Sequence, residues 1–336
     1  MKRFLFSLAS LFLGIGLFLC LLNQAGWQEV KKTILAFSSI EGAFLFVLGF
    51  ANTLLGALRW REILKSKGCF FSLKELYGHY LASFAITYLA PLIVFGGVFF
   101  RGYVLNLKGK NSAPLSKAMI ASFIDGIFEH GSEVITALLG LISLFFLISF
   151  PFKAFRIAIL ILVIFLGAIF FYYFFLKKKS FIKIFLKIDE RNRGRKMEKE
   201  ILSFFNPKNN IFQKAVFLSL AKTFLTLFQY WILISFLGKS ISFLTAISVL
   251  GMSVIFMAPP ISADIGAHDL GSAFLFGRLG LGRETGIVFA SIVRGINLIL
   301  AVGGIIFLIK AGFITLRQKI FKKIGKIHQL YSKYEE

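Results

Sequence analysis

Residues 243–282 read FLTAISVLGMSVIFMAPPISADIGAHDLGSAFLFGRLGLG. The stretch is apolar enough for hydrocarbon, yet Pro259-Pro260 and Gly266 break it in the middle. Asp264, His268 and Asp269 lie in or just beyond the break. A second stretch, residues 76–100 (LYGHYLASFAITYLAPLIVFGGVFF), is broken at Pro91 and Gly96-Gly97, with His79 on it and Arg101 directly after it. Unpaired backbone is costly in hydrocarbon, so a plain bundle of spans has no use for such breaks. Interrupted hydrophobic segments in matching positions of two halves point to a transport site in a membrane protein.

The rest of the composition agrees. The chain is 57% hydrophobic, with 43 Phe and only 16% charged residues, which excludes a soluble globule. The longest polar segment, residues 177–210, is too short and too charged to bury a core, so no separate soluble catalytic domain is expected. The net charge of +23 sits mostly in loops and tails between apolar runs. That distribution marks topology and attracts anionic lipid headgroups; it does not suggest nucleic acid as a partner. Cys20 and Cys69 suggest neither a disulfide framework nor a metal site. Residues 1–22 start with Lys2 and Arg3 and continue apolar with no small-residue cleavage pattern, so they read as an uncleaved first span.

Full-length apolar runs occupy residues 4–22, 40–58, 118–148, 154–176, 212–237 and 285–309. Each is long enough to cross about 30 Å of hydrocarbon. Lys and Arg crowd at Lys2/Arg3, residues 59–74, 101–117 and 177–214, and the tail after Lys310. The positive-inside rule puts these, and both termini, in the cytoplasm. Stretch 76–100 then enters and leaves on the inner face, and 243–282 on the outer face, which brings Arg278 and Arg283 near the outer surface. The expectation is one all-α polytopic membrane domain over residues 1–336, with six full spans and two re-entrant hairpins. Span–hairpin–span over about 40–148 is followed by the same order, inverted, over about 212–309. A basic linker (177–211) separates them and a basic tail (310–336) follows. The halves share no evident residue identity. Phe181, Ile184, Phe185 and Ile188 in the linker, and Ile320, Phe321, Ile324, Ile327 and Leu330 in the tail, have the spacing of amphipathic helices lying at the interface.

Asp125, Glu129 and Glu133 recur at i, i+4, i+8 and share one helix face, with His130 beside them. Acids inside a span cost a few kcal/mol each unless paired or hydrated. They either line a cavity, as a relay or a lining for a polar headgroup, or pair with Arg101 or Lys117. Arg101 and Arg294 pose the same choice. A guanidinium fork holds phosphate well, but each Arg could equally neutralise a buried acid. Asp264, His268 and Asp269 are thin as a metal site, and Asp269 alone could cap the helix that follows. Arg59-Trp60-Arg61 reads as an interfacial anchor. No nucleophile elbow, phosphate-binding Gly loop, zinc-ligand spacing or dinucleotide fingerprint occurs, so no catalytic residue, metal or cofactor is expected.

Arg59-Trp60, then Ala90-Pro91 leading to Gly96-Gly97 and Arg101, resembles the lysylphosphatidylglycerol synthase transmembrane (flippase-like) family. Pro259-Pro260, Gly266-Ala267-His268-Asp269, Gly280 and Arg294 resemble its second signature. The resemblance covers nearly the whole chain. It implies an integral membrane protein that binds or translocates lipids, such as an aminoacylated phosphatidylglycerol. Relatives in the wider group are linked to polyprenyl-phosphate sugar pathways, which widens the substrate class. The synthases add a cytosolic aminoacyl-transfer domain not seen here, so synthase activity is not expected. Where the family usually has Gly-Gly-Leu-Gly and a Glu, this chain has Ser262-Ala263-Asp264-Ile265-Gly266 and Asp269; where it often has an acid followed by Arg, Gly126 follows Asp125.

The reading is a flippase-like lipid transporter of the cytoplasmic membrane. Arg101 and Arg294 hold a lipid phosphate, while Asp125, Glu129, Asp264, His268 and Asp269 face the headgroup or the resting arginines. The rivals are an intramembrane enzyme of lipid-linked sugar or phospholipid metabolism, and a scaffold for a separate lipid-modifying enzyme.

Overall fold

A computed structural model describes residues 39–90, 96–106, 113–147 and 193–332. The described residues form helices and no strand. In chain order these are α1 (Ser39–Ser66), α2 (Leu73–Leu89), α3 (Gly96–Asn106), α4 (Leu115–Leu147), α5 (Arg193–Phe204), α6 (Asn210–Phe236), α7 (Phe243–Met257), α8 (Ala267–Arg278) and α9 (Arg283–Ser332). Four of them, over Ile40–Ser66, Leu115–Leu147, Asn210–Phe236 and Arg283–Lys310, are long and apolar enough to cross a membrane. They match four of the six expected spans; residues 4–22 and 154–176 lie outside the described residues, as do Phe181, Ile184, Phe185 and Ile188 of the linker.

Both broken stretches are pairs of short helices. α2 starts at a capping box in which the Ser72 hydroxyl accepts from Glu75 N–H at 3.3 Å and Glu75 accepts from Ser72 N–H at 2.8 Å. Ser242 caps α7 in the same way, accepting from Thr245 N–H at 3.2 Å. After Met257 the chain leaves the helix at Ala258, makes a short 3-10 turn over Ser262–Asp264 and re-enters one at Ala267. The tail corrects its expectation. α9 runs from Arg283 to Ser332 as one helix, so the amphipathic pattern after Lys310 continues the last span and is not a separate element. Neither Gly312 nor Gly325 is followed by a breaker, and one Gly inside a helix costs only about 1 kcal/mol.

Packing partners recur across the two halves. α1 packs on α6; α2 on α9 and α7 on α4; α3 on α4 and α8 on α9; α2 on α3 and α7 on α8. Contacts along α1 and α6 run in opposite senses, with Leu45 meeting Gln229, Asn52 meeting Thr226 and Arg59 meeting Ser219. The turns after α1 and α6 are also built alike. Gly68 (φ 72) and Gly238 (φ 74) are both left-handed. Cys69 N–H donates to Leu64 O at 3.0 Å, and Lys239 N–H to Ile234 O at 3.1 Å. Glycine lets the second-half cross-packing close: a Cβ on Gly251 would lie 2.5 Å from Thr136 O and from Gly140 Cα, so α4 and α7 touch backbone to backbone.

Two apolar cores result. One gathers Trp60, Ile63, Leu76, Leu105 and Ile124 at the end where α1, α2, α3 and α4 meet. The other gathers Leu233, Val249, Phe276, Phe289 and Ile296 among α6, α7, α8 and α9. Each core carries one cluster of buried charge.

Candidate functional site

The first cluster is built on α4. Asp125 and Glu129 lie one turn apart on one face, as their spacing requires. Asp125 is fully buried and both its carboxylate oxygens are taken. Oδ1 accepts from Arg59 Nε at 2.7 Å and Oδ2 from Arg101 Nη1 at 2.5 Å. Arg59 also donates to Glu129 and, at 3.0 Å, to Ser219 Oγ on α6. Lys222 of α6 pairs with the other Glu129 oxygen, and the Tyr80 hydroxyl donates to Glu129 at 3.3 Å. The Arg101 guanidinium lies 5.5 Å from the Trp60 ring centroid and 5.0 Å from that of Tyr80, within cation–π range.

Three cations therefore surround two acids, and the five groups carry one uncompensated positive charge. The Arg101 Nε is buried with no hydrogen-bond partner among the described residues. Glu129 and Lys222 are the partly exposed end of the cluster, at 25% and 18% side-chain exposure, against 1% for Arg59. An open apolar groove, lined by Ile86, Phe99, Phe100, Tyr103 and Met119, runs between α2, α3 and α4.

The second cluster sits at the break between α7 and α8. Asp269, fully buried, accepts from Gly266 N–H at 2.8 Å and so caps α8. The same Oδ2 accepts from Arg294 of α9. Asp264 lies in the 3-10 turn, electrostatically coupled to Arg294 and Asp269. His268 is buried beside Arg294 and Asp269, and its Nε2 has no hydrogen-bond partner among the described residues. The Tyr88 hydroxyl of α2 donates to Ala263 O at 3.3 Å. Tyr80 and Tyr88 are eight residues apart on α2, so about 12 Å of helix links the clusters.

The structure thus divides the sequence-read residues between two places. Arg101, Asp125 and Glu129 meet in one; Arg294, Asp264, His268 and Asp269 meet in the other. Both arginines neutralise a buried acid. Glu133 leaves the stripe, lying on the surface with His130 at 2.9 Å. Lys117 does not join Asp125; its ammonium lies near Gly68 instead. Arg59-Trp60 is not an interfacial anchor: Arg59 is 1% exposed and Trp60 fully buried, because α3 and α4 close over them. Gly126 does not leave Asp125 without an arginine, since α1 and α3 each supply one. Sequence reading missed Arg59, Lys222 and Tyr80. Lys222 had a signal: an ionisable residue ten residues into an apolar run is a functional candidate by default.

Comparison with curated proteins and with solved structures returned no match for either. The family described as Lysylphosphatidylglycerol synthase TM region matches residues 7–304, nearly the whole chain. A multi-pass bundle with two broken segments and buried charge at each is therefore the structure of a member of that family, to which this chain belongs.

Proposed function

We propose that this protein moves a phosphate-bearing lipid across the cytoplasmic membrane, as a transporter with flippase-like action and no covalent chemistry of its own. The phosphate binds at the first cluster, against Arg59, Arg101 and Lys222. Candidate lipids are an aminoacylated phosphatidylglycerol or a polyprenyl-phosphate-linked lipid. The observation that carries this reading is the uncompensated positive charge among Arg59, Arg101, Lys222, Asp125 and Glu129. A buried charge in excess is expensive and calls for a partner of opposite sign. A phosphodiester supplies one negative charge and accepts from guanidinium forks. The partly exposed Glu129–Lys222 pair is where such a group enters, and the apolar groove beside α3 suits an acyl chain.

In this reading the halves are inverted repeats around a shared site. The recurring packing partners, the antiparallel α1–α6 contacts and the matched turns at Gly68 and Gly238 support it. The two clusters support it in a second way. In the first half an acid on the long helix α4 meets an Arg on α3; in the second an Arg on α9 meets an acid on α8. Related positions carry opposite charge, so rocking one half against the other exchanges which kind of group the cavity presents.

The test is reconstitution into vesicles with fluorescent lipids of several headgroups and a quencher added outside. Protein-dependent quenching of inner-leaflet phospholipid, but not of a neutral diacylglycerol probe, is the expected result. Equal movement of both probes, or of neither with the protein folded, overturns the reading. Turnover of the lipid instead would establish an enzyme.

A further inference from the structure

The break between α7 and α8 has a charge count opposite in sign to that of the first cluster. Arg294 brings one positive charge; Asp269 and Asp264 bring two carboxylates. Arg294 donates to Asp269, which Gly266 N–H also binds at 2.8 Å. Among the described residues no hydrogen bond or ion pair reaches the Asp264 carboxylate. Among the described residues, Asp269 Oδ1 and His268 Nε2 are buried here with no hydrogen-bond partner.

We propose that this break is a proton-binding site with Asp264 as the acceptor, and that loading and unloading the proton decides which carboxylate Arg294 holds. A metal ion is a poorer occupant. It needs several ligands, and no three His, Cys, Asp or Glu side chains converge on one point among the described residues. A proton needs a single acceptor and removes the cost of a lone carboxylate inside the membrane. The groups facing Asp264 set its behaviour. Tyr88 from α2, Tyr230 from α6 and Asp269 from α8 face it, with Arg294 from α9. Asp269 disfavours a second negative charge, and Arg294 is already engaged. With the proton bound, Arg294–Asp269 is a closed neutral pair. With it released, two carboxylates compete for one guanidinium.

The backbone is built to respond. Ala263 and Asp264 sit at φ 55 and 53, a left-handed conformation that non-glycine residues resist. The Tyr88–Ala263 hydrogen bond ties the same turn to α2, the helix that also carries Tyr80 of the first cluster. A shift of Asp264 toward Arg294 therefore pulls on the element that joins the two sites. The coupling of this proton to lipid movement rests on the transport reading; the site itself does not.

Infrared titration of the purified full chain in detergent tests the site directly. The expected result is a protonated-carboxyl C=O band that disappears as pH rises and is absent in Asp264→Asn. In Asp269→Asn the band should titrate at lower pH, because Arg294 is freed to hold Asp264 and the repelling charge is gone. A merely structural Asp264 predicts no such shift. Should Asp264→Asn not fold, Asp264→Glu keeps a carboxyl and should keep a titrating band at a displaced frequency. A band unchanged by Asp264→Asn or Asp264→Glu, or unmoved by Asp269→Asn, overturns the proposal. In vesicles, lipid movement should depend on a transmembrane pH difference in the native chain and lose that dependence in Asp264→Asn. Absence of any lipid movement with the infrared result intact would overturn the transport reading and leave the proton site standing.

Discussion

Asp125 holds two guanidinium groups at once, at 2.7 and 2.5 Å, and among the described residues the other acid paired with them is Glu129. Removing its charge strands both. Asp125→Asn should destabilise the protein by about 3–5 kcal/mol, the range for leaving a buried charge unpaired, read as a lowered unfolding temperature in detergent. Arg101→Gln added to Asp125→Asn should recover part of that loss, since one stranded cation is gone, and the two changes should be markedly non-additive. Lys222 is different because it is at the partly exposed mouth. Lys222→Gln should leave folding nearly intact but slow movement of a phosphate-bearing lipid by about tenfold, the equivalent of about 1.4 kcal/mol of lost interaction. An unchanged rate would remove Lys222 from the site. Most of these residues were legible because an ionisable group in an apolar run must have a use. Their pairing was not, since Arg59 finds Asp125 across 66 positions and Arg294 finds Asp269 across 25. Arg59-Trp60 shows the limit most clearly: a basic-aromatic pair at the end of a span has the same sequence pattern whether it lies at the interface or under α3 and α4.

Helix ends and contacts set the next scale. The breaks were readable from Pro and Gly, because proline cannot donate and glycine tolerates the turn. The helix limits were not, since α1 runs on through the basic residues to Ser66 and α9 on to Ser332. Lys, Arg and Glu are good helix formers, so a change from apolar to charged marks the membrane edge without ending the helix. Two glycines on apolar helices test where backbones touch. Gly251→Ala places a methyl 2.5 Å from Thr136 O and should cost about 1–3 kcal/mol as α4 and α7 are forced apart. Gly295→Ala on α9 meets no neighbour within 4 Å among the described residues and should be neutral or gain up to about 1 kcal/mol of helix propensity. Unfolding temperatures of the two variants separate close approach from propensity; equal shifts would mean that the α4–α7 contact carries no weight.

At the scale of the whole molecule, the two halves share a pattern of packing partners but little residue identity. What recurs is what backbone geometry demands: glycine at the left-handed positions 68 and 238, serine at the helix caps 72 and 242. Elsewhere any apolar side chain faces lipid equally well, so the inverted repeat proposed above would persist in packing and fade from sequence. Charge in the turns supplies the orientation. The first turn, after α1, is flanked by Arg61, Lys65, Lys67 and Lys74, while its counterpart after α6 has Lys239 alone. On the proposed topology, positive-inside bias places the first turn in the cytoplasm and the second outside. The antiparallel run of α1 against α6 agrees with two turns on opposite faces, because helices crossing in opposite directions end on opposite sides. The measurement is labelling by an impermeant maleimide in sealed right-side-out vesicles, with Cys20 and Cys69 replaced by Ser. Lys239→Cys should react from outside and Lys67→Cys only after the membrane is opened. Labelling of both from one side would mean that α1 and α6 do not both cross. The inverted arrangement would then fall, and with it the exchange of cationic and anionic clusters by rocking.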